Sequence, residues 1–361
     1  MEPFESSADK QAAVMMSGGV DSSVTACLLK QAGWDVVGIT MKIPVTCNTS
    51  KPGCCGADAA FVCNELGIPH YFVDVADVFD KYIIQPFQQA YAQARTPNPC
   101  IDCNSYLKFR LLWDLIEAEF GIQYVATGHY ARIVTDQGKT VLQRGLDLHK
   151  DQSYFLYGIA AHRLSHLLLP LGDLTKIRVR ELAQEMDISV AEKSESMELC
   201  FAGEGNYRDA LTVEQAHQAG DLIDMQGKVI GTHKGIANYT IGQRKGIGYA
   251  GGKPLYVGRI DPAANTVALG LRDEVSAREI LIDDLNILDE SALQTDMPMG
   301  AKIRSYGEPR DCVIKEIKPD KLSVEFNEPQ FAPCPGQRLV LYHQDGHVIG
   351  GGTIFDSVNL I

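Results

Sequence analysis

Ala12-Ala13-Val14-Met15-Met16-Ser17-Gly18-Gly19-Val20-Asp21-Ser22-Ser23 is the stretch on which the fold turns. Ala12 to Met16 is a short apolar run that leads into a glycine-rich turn. A helix then fits Ser22 to Ala32, with Gly33 placed as its stop. Two adjacent glycines let the backbone turn tightly and approach an anion with no Cβ in the way. The N–H groups and positive dipole end of a helix start suit a phosphate or pyrophosphate, and Ser17, Ser22 and Ser23 can add hydroxyl donors. The spacing is neither G-x-x-x-x-G-K-[ST] nor G-x-G-x-x-G. A well-capped strand–helix turn accounts for one serine and one glycine, but not for S-G-G-x-D-S directly behind a first strand.

Working outward, strand and helix patterns alternate. Val36 to Met41 is β-rich, Ala57 to Leu66 helical, and Tyr71 to Val75 β-rich. Lys108 to Phe120 reads as a helix and Tyr124 to Thr127 as a strand that ends in Gly128-His129. Such alternation implies right-handed βαβ units and a parallel sheet, a doubly wound α/β domain. After about residue 165 the pattern changes. Leu174 to Met186 is helical, a polar loop runs from Ser194 to Phe201, and residues 206–219 look helical again. From Asp221 onward short β-rich runs are separated by Gly, Pro, Asn and Asp, and they continue past Ile280 as Lys302 to Ser305, Asp311 to Lys315, Lys321 to Phe326, Arg338 to Tyr342 and Thr353 to Phe355. Regular short strands without long helices read as a small barrel or sandwich.

At 361 residues the chain suits two or three domains. Hydrophobic residues at 45% and charged residues at 22% are those of a soluble globular protein. No apolar run approaches the roughly 20 residues that span a bilayer, and the opening MEPFESSADK lacks a signal peptide's basic-then-apolar order. Cytoplasm is the expected compartment, with no membrane partner. A net charge of −13 argues against general affinity for nucleic acid. Between Gln226 and Arg259, however, there is no Asp or Glu, while Lys228, Lys234, Arg244, Lys245, Lys253 and Arg259 all occur. That local basic stretch is either a solvated loop region or a phosphate-binding face.

The chain has ten cysteines, six of them before residue 101. A domain of this length needs no disulfide staples, and Cys27 and Cys63 fit apolar helix faces as small hydrophobes. Cys100 and Cys103 need a chemical account. Pro97 and Pro99 favour an extended turn before the helix that contains Lys108-Phe109. Cys103 is then expected near a helix N-terminus, which lowers a thiol pKa and favours the thiolate. Cys200 follows nearly a hundred residues later, in the loop Leu199-Cys200-Phe201-Ala202-Gly203. Cys54-Cys55 is too close in sequence to bridge without strain and has no assigned function. His129, at a strand end, reads as a hydrogen-bonding turn residue.

The glycine-rich loop resembles the pyrophosphatase loop of adenylating enzymes, which cut ATP between the α and β phosphates. Over nearly its whole length the chain resembles the tRNA-specific 2-thiouridylases. The resemblance is carried by Met16-Ser17-Gly18-Gly19-Val20-Asp21-Ser22, Arg95-Thr96-Pro97-Asn98-Pro99, Cys103-Asn104 with Lys108-Phe109, and Ala126-Thr127-Gly128-His129-Tyr130. It continues through Lys150 to Tyr157, Cys200-Phe201 and Ile241-Gly242-Gln243-Arg244-Lys245-Gly246. The architecture it implies is an adenine-nucleotide α-hydrolase-like ATP-pyrophosphatase domain over 1–205, a small central tRNA-contacting domain over 206–275 and a C-terminal β-barrel domain over 276–361.

The resemblance also implies the activity: ATP-dependent 2-thiolation of the wobble uridine of tRNA. Met15, Met16, Ser17, Gly18, Gly19, Val20, Asp21, Ser22, Met41 and Gly128 match ATP-binding positions, and Asp21 is implied in holding Mg²⁺. Cys200 matches the persulfide carrier, and Cys103 the nucleophile that can form a transient disulfide with it. Asn98, Pro99 and Cys100 match the segment that meets the target base, while Lys150, Asp151, Gln152, Ser305 and Tyr306 match tRNA-contacting segments. From charge alone, Lys150-Asp151-Gln152 is an ordinary turn. Implied partners are tRNAs for Lys, Glu and Gln and a cysteine desulfurase or sulfur-relay protein.

One departure matters. Many members of the family carry an acidic residue where this chain has Cys100, so the acid–base role of that carboxylate would fall to a thiol. Cys100, Cys103 and Cys200 then form a three-thiol set. They are either a persulfide pair with a spare thiol or possible ligands of a [4Fe–4S] cluster whose fourth iron binds sulfide. Zinc fits less well, since a second C-x-x-C is missing and no His follows at finger spacing. Two rival functions stay open: another adenylating ligase, which needs neither Cys103 nor Cys200, and a nonenzymatic RNA-binding iron–sulfur redox protein, which releases no pyrophosphate.

Overall fold

Ala12, Ala13 and Val14 are fully buried, and the strand they belong to, Gln11–Met15, lies at the centre of a sheet. It pairs in parallel with Asp35–Lys42 on one side and with Tyr124–Ala126 on the other. His70–Asp74 and Leu167–Leu168, also parallel, form the two edges. The chain winds outward in one direction through the first three strands, then returns to the centre and winds in the other. Its topological switch point therefore lies between Gln11–Met15 and Tyr124–Ala126. In such sheets ligands bind outside the strands' carboxyl ends at that crevice. This is the doubly wound α/β architecture expected from the sequence. The computed structural model describes residues 10–44, 56–136, 138–194, 199–201, 218–249 and 252–359. The helix expected over 206–219 and the cysteines Cys47, Cys54 and Cys55 lie outside the described residues, apart from residues 218 and 219.

The chain divides into two compact units. One takes Met1–Tyr82, Cys100–Glu204 and Gly346–Val348; the other takes Ile83–Pro99, Gly205–Asp345 and Ile349–Ile361. In the first, Val14, Val24, Val36 and Val62 form part of one core between sheet and helices. Each such buried side chain stabilises by roughly 1.5–3 kcal/mol, against about 1 kcal/mol for a typical loop hydrogen bond. The strand–helix frame, rather than the turn's own bonds, therefore fixes where the glycine-rich turn stands. An antiparallel hairpin, Ala131–Asp136 with Lys139–Arg144, follows the Tyr124–Ala126 strand. Its β-branched runs, Ile133-Val134-Thr135 and Thr140-Val141, are a strand signal that the sequence expectation did not include.

One expected element is longer than the sequence suggested. Lys108 to Phe120 is only the later part of a helical run that starts at Pro99. It continues from Pro99–Asp102 into a π-helical stretch, Cys103–Leu112, and ends as Trp113–Phe120 before Gly121 at φ +68°. Pro99 opens this run instead of ending an extended turn, since a first-turn proline loses no helical hydrogen bond.

In the second unit, Tyr256–Asp261, Thr266–Gly270, Gly220–Asp224 and Val229–His233 form a four-stranded sheet. All six basic residues between Gln226 and Arg259 are exposed there. The six strands Ser276–Ile287, Lys321–Phe331, Arg310–Lys318, Met299–Lys302, Arg338–Tyr342 and Val348–Asn359 close into a barrel. Of the two readings open from sequence, barrel or sandwich, the barrel is realised. Ile280, Ile282, Val324, Leu339 and Ile354 fill its interior, all fully buried. The Arg95-Thr96-Pro97 segment is tied to the barrel-bearing part of this unit: Thr96 N–H donates to the Pro335 carbonyl at 2.8 Å, and Gln337 Nε2 to the Thr96 carbonyl at 3.0 Å.

Candidate active site

The glycine-rich turn stands at the carboxyl end of the central strand, on the switch point. Its helix is Val20–Gln31, two residues earlier at its start than the sequence pattern suggested, with Gly19 as N-cap and no side chain capping it. The N–H groups of the first turn are thus left for an incoming anion. Gly18 has φ +71°, a conformation L side chains rarely adopt, and a Cβ there would lie 3.1 Å from Ala59 N and Asp58 Cβ. Gly128, at the end of the neighbouring strand, is packed against the same helix start; a Cβ would meet Asp21 C at 2.7 Å and Ser22 N at 2.8 Å. The turn is therefore shaped by absent side chains, which leaves its backbone open to an approaching anion.

The serines stabilise this turn internally. Ser17 N–H donates to Ser22 Oγ at 3.2 Å, while Ser22 Oγ and Ser23 Oγ donate to the Gly19 carbonyl at 3.1 and 2.9 Å. Thr40 Oγ1 donates to the Met16 carbonyl at 2.9 Å, locking the ends of the first two strands together, with Met15 and Met41 half-buried beside them. The Asp21 carboxylate is held by Lys176 Nζ at 2.7 and 2.8 Å and by the Tyr130 hydroxyl at 2.8 Å. Lys193 Nζ donates to the Gly18 carbonyl at 3.0 Å and pairs with Asp58. Lys176, Tyr130, Lys193 and Asp58 were missed by sequence reasoning. Only Tyr130 falls inside a motif, and nothing in spacing announces the others.

The three thiols belong to the same unit. Cys103 is buried, whereas Cys100 and Cys200 reach the surface. Lys108 bears electrostatically on all three and lowers their pKa values, but desolvation by the protein packed around each sulfur outweighs it, even at the two that reach the surface, and pushes each thiol up, Cys200 to about 11. Cys200 also feels the charges that Cys103 and Cys100 would carry, so the three share one neighbourhood. The expectation of a low-pKa Cys103 at a helix N-terminus is corrected: the helix begins four residues earlier, and burial of the thiol decides the sign. The π-helical winding from Cys103 to Leu112 is a local irregularity of a kind frequent at functional sites. Asn104 ties it in place, donating to the Phe155 carbonyl at 3.0 Å and accepting from Lys108 Nζ at 3.0 Å. Phe201 packs edge-on to Phe79 at 5.9 Å and anchors the residue after Cys200. Among the described residues, no three His, Cys, Asp or Glu side chains converge at metal-ligand spacing. The thiol set has the chemistry for iron but not, as arranged, the convergence.

Lys108 also faces His129, which adjoins Gly128 in the wall of the phosphate turn. Burial first, and Lys108 second, hold the His129 ring down at about 3. Its Nδ1 lies 2.8 Å from Thr127 Oγ1, in keeping with its expected role as a turn residue. With the folded pKa near 3 and the unfolded near 6.5, the unfolded state takes up a proton that the folded state refuses as pH falls between them. The stability that neutral His129 contributes is complete above pH 6.5 and drains away towards pH 3. His129→Gln, which cannot titrate, is expected to flatten that part of the pH dependence of the urea midpoint. An unchanged slope would refute the assignment.

The residues expected at tRNA are placed unevenly. The Asp151 carboxylate is buried and accepts from Arg144 Nε, Gly145 N–H, Ser153 N–H and Ser153 Oγ, each at 3.1 Å, so it builds the turn and does not face solvent. Gln152 is bonded to Tyr130, and Lys150 is half-buried. In the other unit, Asn98 is half-buried, Pro99 is buried, and Ser305 with a 90% exposed Tyr306 lies between barrel strands.

A glycine-rich strand–helix turn at the switch point of a parallel sheet, in the same unit as Cys100, Cys103 and Cys200, is the architecture of a nucleotide-binding domain. The model of the tRNA methyl transferase HUP domain matches residues 10–204, that of the tRNA methyl transferase PRC-barrel domain residues 208–271, and that of the aminomethyltransferase β-barrel domain residues 277–354. A tRNA-specific 2-thiouridylase MnmA of Carboxydothermus hydrogenoformans is 44% identical over 359 residues, covering 96% of this chain and 97% of that protein. One of Acetivibrio thermocellus is 42% identical, covering 96% and 99%. Although the matching models carry methyl-transfer labels, these relatives cover 96% of the chain and decide the family. The chain belongs to the tRNA-specific 2-thiouridylases, within the pyrophosphatase-loop superfamily. A solved structure, the U34-tRNA thiolase NcsA from Methanococcus maripaludis with its [4Fe-4S] cluster, is 18% identical with a TM-score of 0.33, covering 54% of this chain and 61% of that one; so remote a likeness carries no argument about the carrier.

Proposed function

We propose that the protein converts the wobble uridine of tRNA to 2-thiouridine at the expense of ATP, in two linked steps on one wall of the nucleotide unit. The observation that carries the reading is the packing of the Cys103–Leu112 helical stretch beside the end of the Tyr124–Ala126 strand. Its Phe109 ring lies 6.0 Å from that of His129, next to Gly128, and its Lys108 Nζ donates at 3.0 Å to Asn104, the neighbour of Cys103.

In the first step the uridine C2 oxygen attacks the α-phosphorus, the bond to the β-phosphate bridging oxygen breaks, and pyrophosphate leaves. The first-turn N–H groups after Gly19 and the cation Lys193 receive the phosphates, with Mg²⁺ as their usual counter-ion. In the second step the terminal sulfur of a Cys200 persulfide bonds to C2, and AMP departs with the old oxygen. The Cys103 thiolate attacks the inner sulfur, so a Cys103–Cys200 disulfide forms as the transferred sulfur is reduced. A thiol reductant then restores both cysteines. A thiol pushed up to about 11 is almost wholly protonated at neutral pH. Lys108, placed beside the thiols, is the group that eases its ionisation when substrate displaces water.

The sulfur donor is a cysteine desulfurase or a relay protein, the substrates are the tRNAs for Lys, Glu and Gln, and the reaction takes place in the cytoplasm. Among the described residues no helix is long and apolar enough to cross a membrane. The residue types alone suggest one second reading, sulfide carried on an iron–sulfur cluster held by Cys100, Cys103 and Cys200, which would require the three thiols to draw together. The deciding experiment supplies ATP and tRNA to anaerobically purified protein and follows pyrophosphate, 2-thiouridine and bound iron. Pyrophosphate release and thiolation by iron-free protein are expected, with Cys100→Ala retaining most activity. Iron and activity lost together in Cys100→Ala would establish the cluster instead, and absence of pyrophosphate would end both readings.

A further inference from the structure

Asp21 opens the first helix, and its carboxylate joins three elements remote in sequence. Lys176 Nζ contacts both oxygens, the Tyr130 hydroxyl contacts Oδ1, and the same ammonium lies 5.6 Å from the Tyr130 ring centroid. A carboxylate beside a polyphosphate site would repel its ligand if it stood alone. Neutralised by Lys176 and fixed by Tyr130, it leaves the field of the turn to the backbone N–H dipoles.

Tyr130 is gripped in turn through its backbone. Its N–H donates to the Gln152 side-chain oxygen at 2.9 Å, and its carbonyl accepts from the Gln152 N–H at 2.8 Å. A backbone N–H only donates, so the amide must present its oxygen there. Gln152 is held by the buried Asp151 turn, which spends its carboxylate entirely on its own neighbours.

We propose that Gln152 is a positioning residue for the nucleotide site: by gripping the Tyr130 backbone it sets the hydroxyl that, together with Lys176, orients Asp21 and the phosphate turn. The inference rests on reading that turn as the ATP site. The Lys150-Asp151-Gln152 turn, expected from family resemblance only to meet tRNA, is then part of the ATP scaffold before any RNA arrives.

The test is calorimetric titration of the full chain, without tRNA, with α,β-methylene-ATP and Mg²⁺. Tyr130→Phe and Gln152→Ala are each expected to raise the Kd about tenfold, the scale of one hydrogen bond serving a charged group, with a single cooperative melting transition retained and lowered by only a few degrees. Gln152→Glu keeps an acceptor oxygen opposite the Tyr130 N–H and is expected to retain wild-type nucleotide affinity, although a negative charge at an RNA contact would raise the KM for tRNA. Wild-type nucleotide affinity in Gln152→Ala, with only the tRNA KM raised, would overturn the proposal. So would a Gln152→Glu protein that binds nucleotide as poorly as Gln152→Ala. Failure of the wild-type protein to bind the analogue would instead remove the ATP reading itself.

Discussion

Cys200→Ser is expected to abolish 2-thiouridine formation, by about a thousandfold or more on the scale of losing an enzymic nucleophile, while ATP still releases pyrophosphate on bound tRNA. The two steps use different atoms. Adenylation draws on the phosphate turn, and sulfur transfer needs a polarisable sulfur beside C2, which a hydroxyl cannot supply. Cys103→Ser is expected to block turnover as severely but to leave Cys200 carrying one extra sulfur after incubation with a desulfurase and cysteine, seen by mass spectrometry. The raised pKa adds a pH signature. Alkylation follows the thiolate, so iodoacetamide labelling of Cys200 in the free enzyme should climb tenfold per pH unit through the range where an ordinary thiol has levelled off, and flatten only near pH 11. Thiolation by Cys200→Ser protein would refute the carrier assignment, and labelling that levels off near pH 9 would refute the raised pKa.

The second large effect is expected at Gly128. A Cβ there would sit 2.7 Å from Asp21 C and 2.8 Å from Ser22 N, both backbone atoms of the first helical turn, which cannot rotate aside as a side chain could. Gly128→Ala must therefore push either the helix start or its own strand end. A cradle displaced by a fraction of an ångström loses the alignment of its N–H groups, and misplacements of about 1 Å cost roughly a hundredfold in reactions that depend on position. Nucleotide affinity and pyrophosphate release should both fall by about ten- to a hundredfold, with about 1–3 kcal/mol of stability lost to overpacking. Wild-type nucleotide affinity in this variant would mean that the phosphates lie elsewhere.

Much of the nucleotide unit is legible in the residues themselves because its signals are local. S-G-G-V-D-S after an apolar run announces a tight turn and a helix start, and the alternation of β-rich and helical segments gives a parallel sheet. The helix from Pro99 was only half legible. A π-helical winding between Cys103 and Leu112 depends on what packs against each turn, as Asn104 does on the Phe155 carbonyl, and no pattern along the chain records that. The Ala131–Asp136 and Lys139–Arg144 hairpin, by contrast, is local: β-branched Ile133-Val134-Thr135 and Thr140-Val141 flank a short turn ending in Gly138, a signal present in the sequence and passed over.

What the sequence alone determined is which chemistries are present and in what order: a phosphate turn, three thiols at Cys100, Cys103 and Cys200, and a basic stretch within an acidic chain. Those follow from residue types and short spacings. The tertiary structure decided which of them act on one another. Tyr130 reaches Asp21 across 109 positions and Lys176 across 155, because the switch point of the sheet gathers strand ends that the chain keeps far apart. Asp151 is an internal strut, and the Cys103 thiol is pushed up where a helix terminus alone would have lowered it. Both outcomes have the same physical cause: desolvation and hydrogen-bond geometry are set by everything packed around a group, and a linear sequence does not contain that sum.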